Sequence, residues 1–281
     1  MCQYESIFKC PVCAATMAIV DSKSLVCSNN HTFDLAKQGY VNLVTRPLAT
    51  KYDKELFEAR KMIAESGFFE PLSEMIASLI NQKVNCANQP IKILDTGCGE
   101  GSHLSSIKDK IHSQSLNEVV GVGVDLAKEG IIVAARSFSN LIWCVADLAN
   151  GPFNDKTFDV VLNILSPSNY GEFNRLLNDS GIVIKVVPRA DYLKELRDVF
   201  FDESDKQSYS NQNIVERFSA NFDSIDKQSL CYTFTLNPEL LPHLIRMTPL
   251  SWAATAEKVQ TVLAMGLTEI TVDLDILVGK K

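Results

Sequence analysis

Two short cysteine motifs near the start of the chain have the residue types and spacing of a metal site. Cys10-Pro-Val-Cys13 is followed, after 13 residues, by Cys27-Ser-Asn-Asn-His31. A Cys-x2-Cys turn aims two sulfurs at one point, and Cys-x3-His does the same with one sulfur and one imidazole nitrogen. Three soft ligands and one borderline ligand make a closed tetrahedral set suited to structural Zn²⁺, with no position left for a reacting water. A redox Cys-x-x-Cys is the alternative, but it would need a thioredoxin-like βαβ pattern around it, and none is present. A ribbon of about 30 residues buries too little core to fold alone, so the metal supplies the missing stability. The remaining cysteines are scattered. Cys144, inside an apolar run, reads as a small buried hydrophobe, and Cys86 and Cys231 are read the same way.

A second constellation lies in Ile91-Lys-Ile-Leu-Asp95-Thr-Gly97-Cys-Gly99-Glu100-Gly101. A buried strand ends in an acid and turns through three glycines into a helix, a geometry that lets backbone approach a ligand closely. The pattern is Asp-x-Gly-x-Gly-x-Gly rather than the Gly-x-Gly-x-x-Gly of dinucleotide enzymes. Its leading acid would repel a pyrophosphate and suits a cationic ligand. Asp125, followed by Leu126, closes the next strand where an acid accepts hydrogen bonds from ribose hydroxyls. Asp147 closes the third, placed to meet an adenine amino group. Singly, each acid could be a helix cap or turn former. As an ordered set they match S-adenosylmethionine and a class I methyltransferase.

These residues need a scaffold, and the rest of the chain supplies one. From residue 91 onward, apolar β-branched runs at 91–95, 119–125, 141–146, 158–165 and 182–187 alternate with helical patterns. That alternation predicts an α/β fold, a Rossmann-like class I methyltransferase sheet joined to a small N-terminal zinc ribbon. The domain reading is 1–36 for the ribbon, 37–88 for a linker and helical segment, and 89–281 for the methyltransferase. Within the middle segment, helices are expected around residues 56–64 and 71–83.

Net charge is −7, but residues 1–62 carry 8 Lys and Arg against 6 Asp and Glu. A general nucleic-acid coat would be far more basic. Any polyanion should therefore meet a local surface, expected at Arg46, Lys51, Lys54, Arg60 and Lys61, although Arg60 could instead pair with a carboxylate across the domain seam. A second basic group, Lys185, Arg189, Lys194 and Arg197, is the fallback. No apolar run approaches the roughly 20 residues of a membrane span, and the N-terminus lacks a signal-peptide pattern, so a cytoplasmic protein with no membrane partner is expected.

The chain resembles the RlmA family, the guanine-N1 methyltransferases of large-subunit ribosomal RNA. The resemblance runs from the Cys/His pairs through Lys37-Gln-Gly-Tyr-Val-Asn-Leu43, Gly67-Phe-Phe-Glu-Pro-Leu72 and the glycine loop to Met247-Thr-Pro-Leu-Ser-Trp252. It implies a zinc ribbon that helps hold RNA, a cofactor domain, a guanine target in a hairpin loop of 23S rRNA, and a homodimer. It also implies cofactor contacts at Phe69, His103, Leu104 and Tyr192, the last standing where the family often has His. Where the family often has Tyr-Ala-Pro, this chain has Leu165-Ser-Pro167. Guanine N1 carries a proton at neutral pH, so a base or an electrostatic device must help remove it. The sequence singles out no such group. Asn163 and Ser166, at the mouth of the fourth strand, are candidates for the guanine edge or for capping. Two other functions remain: a methyltransferase acting on a small molecule or protein with the ribbon as scaffold, and a non-enzymatic zinc-ribbon RNA-binding protein.

Overall fold

The computed structural model describes residues 2–46, 50–85, 89–201 and 209–280. Three short strands, β1 (Met17–Val20), β2 (Ser24–Cys27) and β3 (Thr32–Asp34), form an antiparallel sheet in that order. Their inner face, with Met17, Leu25 and Cys27, packs with Ile7 and Phe8 and continues into Phe153 and Phe158 of the main domain. The Phe8 and Phe153 rings meet with centroids 5.6 Å apart. The Asn154 carboxamide donates to the carbonyls of Ser6 and Phe8 at 2.8 and 3.3 Å. The ribbon is therefore docked on the main domain by apolar burial and backbone capture together.

The segment read as linker and helical segment, 37–88, adds one strand to the main sheet and two helices to its core. Its strand β4 (Tyr40–Asn42) joins the edge of the main sheet, parallel to a strand introduced below, with Tyr40 opposite Trp143. Three residues are too few for a period-2 signal, so the pattern could not show it. Helix α1 (Lys54–Glu65) starts at Asp53, whose carboxylate accepts from the Leu56 N–H at 2.9 Å. It is followed by α2 (Glu70–Lys83), with Pro71 in its first turn. Ala59 and Ile63 of α1 and Leu72, Ile76 and Ile80 of α2 are buried in the main core.

The remaining elements are β5 (Ile91–Thr96), α3 (Ser102–Ser115), β6 (Val119–Asp125), α4 (Lys128–Ser137), β7 (Ile142–Val145), β8 (Phe158–Ile164), α5 (Tyr170–Leu176), β9 (Leu177–Pro188), α6 (Lys194–Phe200), α7 (Gln212–Ser219), β10 (Ser224–Thr235), α8 (Leu241–Met247), α9 (Ala256–Met265) and β11 (Glu269–Lys280). The sheet order is β10-β11-β9-β8-β5-β6-β7-β4. Strands β4 to β9 pair in parallel, and β11 runs antiparallel between β9 and β10. The order reverses beside β5, so the loops after β5 and β8 open a crevice at one sheet edge, where such folds bind ligands. Cys144 is fully buried, as its apolar setting predicts. Cys231 is exposed, because β10 is an edge strand with alternating exposure. Cys86 lies outside the described residues. Among the described residues no helix is long and apolar enough to cross a membrane.

Candidate active site and metal centre

The four metal-ligand candidates converge. Ligand atoms of Cys10, Cys13, Cys27 and His31 all lie within 4.8 Å of one another. Cys10 Sγ is 3.5 Å and Cys27 Sγ 3.4 Å from His31 Nδ1, and the Cys13 and Cys27 sulfurs are 3.7 Å apart. A tetrahedron with Zn–S near 2.3 Å and Zn–N near 2.0–2.1 Å has edges of about 3.5–3.8 Å, so the donor set fits Zn²⁺. The Ala15 backbone N–H, then the Asn29 carboxamide, pull the Cys13 thiol down to about 6, toward the thiolate that binds metal.

At the sheet edge, a cavity of about 360 Å³ is walled by Gly97 and Gly99 on one side and by Asp125, Leu126 and Asp147 on the other. Asp125 organises it. One carboxylate oxygen accepts from the Gly99 N–H at 2.9 Å and the other from the Ala127 N–H at 2.8 Å. Each oxygen keeps a second lone pair for a ribose hydroxyl. Gly97, at φ +75°, must be glycine, since a Cβ there would lie 2.0 Å from Ser166 Oγ. A second cavity of about 480 Å³ adjoins the first and shares Tyr52, Arg60, Leu165, Ser166 and Pro167 with it. Its far wall is the Met247–Leu250 segment, with Phe69, Glu100, Lys185 and Tyr192 completing it.

The seam between the cavities is charged. Arg60 donates from Nε to Glu100 Oε2 at 3.0 Å, and Glu100 is 2% exposed. Arg60 is therefore the carboxylate partner across the seam and not part of an exposed RNA grip. Lys54 and Lys61 are paired along α1 with Glu58 and Glu65, while Arg46 and Lys51 are exposed. Behind the glycine loop, burial pushes the Asp95 carboxyl up to about 8, and the nearby Asp125 and Glu100 add to the rise against Arg60. Burial is also the largest influence raising Asp125. The site thus holds three acids against one guanidinium, an environment that favours a cationic ligand.

The other expected cofactor residues are dispersed. Gly101 turns beneath Trp143. His103 packs on Phe69 with ring centroids 4.6 Å apart and lines a separate cavity behind the glycine loop. Burial drives His103 down to about 3, so it is neutral. Leu104 is wholly buried in the main core and lines none of these cavities. One residue on a helix turns the side chain by about 100°, which separates His103 from Leu104. Asn163 is also wholly buried. Its amide nitrogen donates to Thr96 O at 3.3 Å, Thr96 Oγ1 at 3.1 Å and Pro167 O at 2.9 Å, so it braces the loop rather than reading a guanine edge. Ser166 stands between the two cavities, in keeping with its place at the strand mouth. Lys185 and Arg197, placed by the sequence on a fallback surface, are 4% and 6% exposed and line the second cavity instead. The signal for Lys185 is one charge inside the apolar run of 182–187, a position a lysine rarely takes without a task.

Comparison with known proteins places this geometry. Residues 8–52 match the N-terminal zinc-ribbon model of RlmA, and residues 93–181 match a methyltransferase domain model. The chain is 47% identical over 278 residues to the YxjB protein of Bacillus subtilis (strain 168), covering 98% of each. That protein is named, provisionally, a 23S rRNA (guanine-N1)-methyltransferase. The chain belongs to this RlmA-type methyltransferase family. It is also 30% identical over 246 residues to the 23S rRNA (guanine(748)-N(1))-methyltransferase of Streptomyces fradiae, covering 87% of this chain and 85% of that one. A solved structure, YcgJ of Bacillus subtilis, shares the fold with a TM-score of 0.50 and 17% identity, over 73% of this chain and 97% of that one.

As a member of this family the chain is an S-adenosylmethionine-dependent enzyme, and its residues fit the cofactor. Asp125 would offer acceptors to the ribose and Asp147, which lines the same cavity, would meet the adenine, while Glu100 beside Arg60 and the buried Asp95 would favour the positive charge. When bound, the cofactor supplies a methyl group on a positively charged sulfur. Asp95 is then expected to make binding pH-dependent. Its proton is held in the free protein up to about pH 8, whereas an unfolded Asp ionises near 3.9. Its contribution to stability is therefore fully present below about pH 4 and is lost as pH rises through about 8. A cationic ligand favours the ionised form, so binding should release a proton below pH 8 and tighten as pH rises toward that value. Calorimetry in two buffers of different ionisation enthalpy reads the release. Asp95→Asn should abolish it, and unaltered proton release in that variant would assign the titration to another group.

Proposed function

We propose that the chain transfers a methyl group from S-adenosylmethionine to N1 of a guanine in a hairpin loop of 23S rRNA. The observation that carries this reading is the pair of joined cavities. The first has the shape and acids for the cofactor. The second adjoins it at Arg60 and Leu165–Pro167, and its Phe69, Tyr192 and Met247–Leu250 wall offers aromatic and apolar surface suited to an unstacked base. Phe69 offers a ring edge or face, and Ser166 sits where donor and acceptor must meet. Alignment of the two reactants then supplies much of the rate. A loop guanine is easier to extrude than one in a duplex, which favours a hairpin target. The cytoplasm, where rRNA is available, and a dimeric state are part of the same proposal, the latter measured by sedimentation of the purified chain. Primer extension on 23S rRNA tests the activity, because a methyl at N1 blocks pairing and stops the polymerase. A stop present in the parent strain, absent after deletion and restored by this chain is expected. Identical stops in all three would overturn the reading.

RNA contact should involve the cations of 46–61, with Arg60 withdrawn from the set. Lys51 lies between Thr50 and Tyr52, both of which line the first cavity. Neutralising Arg46, Lys51, Lys54 and Lys61 together should weaken hairpin binding and flatten its salt dependence. The log–log slope should shrink by about 0.7–0.9 for every phosphate that is no longer neutralised. Cofactor affinity should hold. An unchanged slope would move the RNA surface away from α1.

A further inference from the structure

The second cavity holds a lysine that nothing in the site described so far employs. Lys185 lies on β9, 4% exposed, and lines the second cavity beside Ser166. Its Nζ donates to Asn163 Oδ1 at 2.6 Å and to the Ser166 carbonyl at 3.1 Å. Among the described residues no carboxylate is paired with it. A buried ammonium without a counter-ion is costly, and a protein escapes that cost by leaving the amine neutral.

The two hydrogen bonds define what a neutral amine would do there. An amine has two N–H bonds and one lone pair. Asn163 Oδ1 and the Ser166 carbonyl take the two N–H bonds, so the lone pair is left in the remaining tetrahedral direction. Asn163 is itself locked by Thr96 and Pro167, and its Oδ1 also accepts from Ser168 Oγ at 2.9 Å. The amine is thereby oriented as well as buried.

Resting on the proposed function above, we propose that Lys185 is the general base of the methyl transfer, its amine taking the N1 proton of the guanine held in the second cavity. The N1–H bond breaks and its proton goes to Nζ. The freed N1 electron pair forms the bond to the methyl carbon of the sulfonium donor. The carbon–sulfur bond breaks with its pair going to sulfur, leaving a neutral thioether, and the lysine ends as ammonium. Charge balances, since the positive charge carried in on sulfur leaves on the lysine. Burial lowers the Lys185 amine to about 8, near enough to neutrality for both forms to be populated in the cell.

The groups around Lys185 do not compete for that role. Arg60 and Glu100 share the cavity but are paired with each other. The Tyr192 phenol is pushed up by burial and stays protonated. Arg197 stacks over the Tyr209 ring, 5.1 Å from its centroid. On β8 the residue opposite is neutral Asn163, and on β11 it is Leu277. Asp275, one pleat further along β11, is bound to Lys227 and Arg189.

The test is a single-turnover methylation of a 23S rRNA hairpin transcript, at saturating S-adenosylmethionine so that Asp95 is already ionised. Wild-type rate should rise tenfold per pH unit and level off above about 8. Lys185→Met keeps the length and apolar volume of the stem, so cofactor affinity should remain within about twofold. Its methylation rate should fall by about 10²–10⁴ and lose the pH dependence. Lys185→Arg, a cation that cannot release its proton, should be as impaired, and small primary amines should restore rate to Lys185→Ala. A ¹³Cε-lysine NMR titration should show one resonance, absent from Lys185→Met, titrating near 8. An active Lys185→Arg would show that charge rather than proton transfer is used, and an unchanged pH profile in Lys185→Met would assign the base elsewhere. Both overturn the inference while methylation by wild type stands. If wild type itself leaves every guanine of the hairpin unmodified, the function proposed above is what fails.

Discussion

Removing zinc is expected to unfold the ribbon through β3 and to lower the melting temperature of the rest. Few side chains hold the ribbon from within: Met17, Leu25 and Cys27 line its inner face, against Ile7 and Phe8. That core is too small to offset the entropy of ordering the ribbon. Structural Zn²⁺ contributes about 10–16 kcal/mol of apparent binding free energy in small zinc domains, which is folding free energy when no site exists in the unfolded chain. Cys27→Ala or His31→Ala leaves three ligands and should lose the one equivalent of metal. The damage should spread, because Phe8 packs on Phe153 and the same cluster includes Val41 and Leu43 beside the main sheet. Loss of the ribbon uncovers that apolar face, so the methyltransferase domain should melt several degrees lower and aggregate more readily. Cofactor binding should survive below that temperature, since the residues walling the first cavity begin at Thr50. Elemental analysis of reductively purified protein, with calorimetric melting before and after chelation, makes the measurement. A metal-free chain with unaltered melting would end the zinc assignment.

Much of this architecture can be read from residue order because it rests on local signals. Strand–helix alternation and the acids at three successive strand ends are one-dimensional patterns, and the sheet places them at one edge as expected. The metal ligands likewise announce themselves by spacing. What escapes the sequence depends on which way a side chain turns once neighbours are packed. The family resemblance points Leu104 at the cofactor, yet Leu104, Ile107 and Ile111 recur at helical spacing and share the buried face of α3. Helical spacing already contains that correction. Asn163, a candidate for the guanine edge by its place at a strand mouth, sits inside a strand otherwise made mostly of apolar residues. A polar group in such a run must find internal partners, and it does so in Thr96 and Pro167. Its neighbours in sequence group Arg60 with the surface cations, while Glu100, its partner, is 40 residues away. No local pattern predicts a pairing across that distance. Strand β4 is invisible for the opposite reason, being too short to have a pattern.

The largest loss of cofactor binding is expected from Gly99→Val. At φ +55° the residue occupies the left-handed region, which a β-branched side chain resists. Its Cβ would lie 3.4 Å from the Phe57 ring and 3.6 Å from the Arg60 guanidinium carbon. The Cβ itself is tolerable, but the two methyl groups beyond it must enter the cavity or displace the Arg60–Glu100 pair. Either result removes the surface that would meet the methionine end of S-adenosylmethionine, and affinity should fall at least a hundredfold. Asp125→Ala acts on the same loop from the other side. It removes the proposed acceptors for the ribose and also releases the Gly99 N–H, which Asp125 holds at 2.9 Å. Each hydrogen bond to a charged group is worth about 1.5–3 kcal/mol, so a loss of ten- to a hundredfold in affinity is a conservative expectation. Because the two residues are joined by a hydrogen bond, the double variant should lose less than the sum of the singles. Isothermal titration with S-adenosylhomocysteine, which lacks the sulfonium charge, separates shape from charge: Gly99→Val should impair both ligands equally. Full affinity for both ligands in both variants would place the cofactor outside the first cavity.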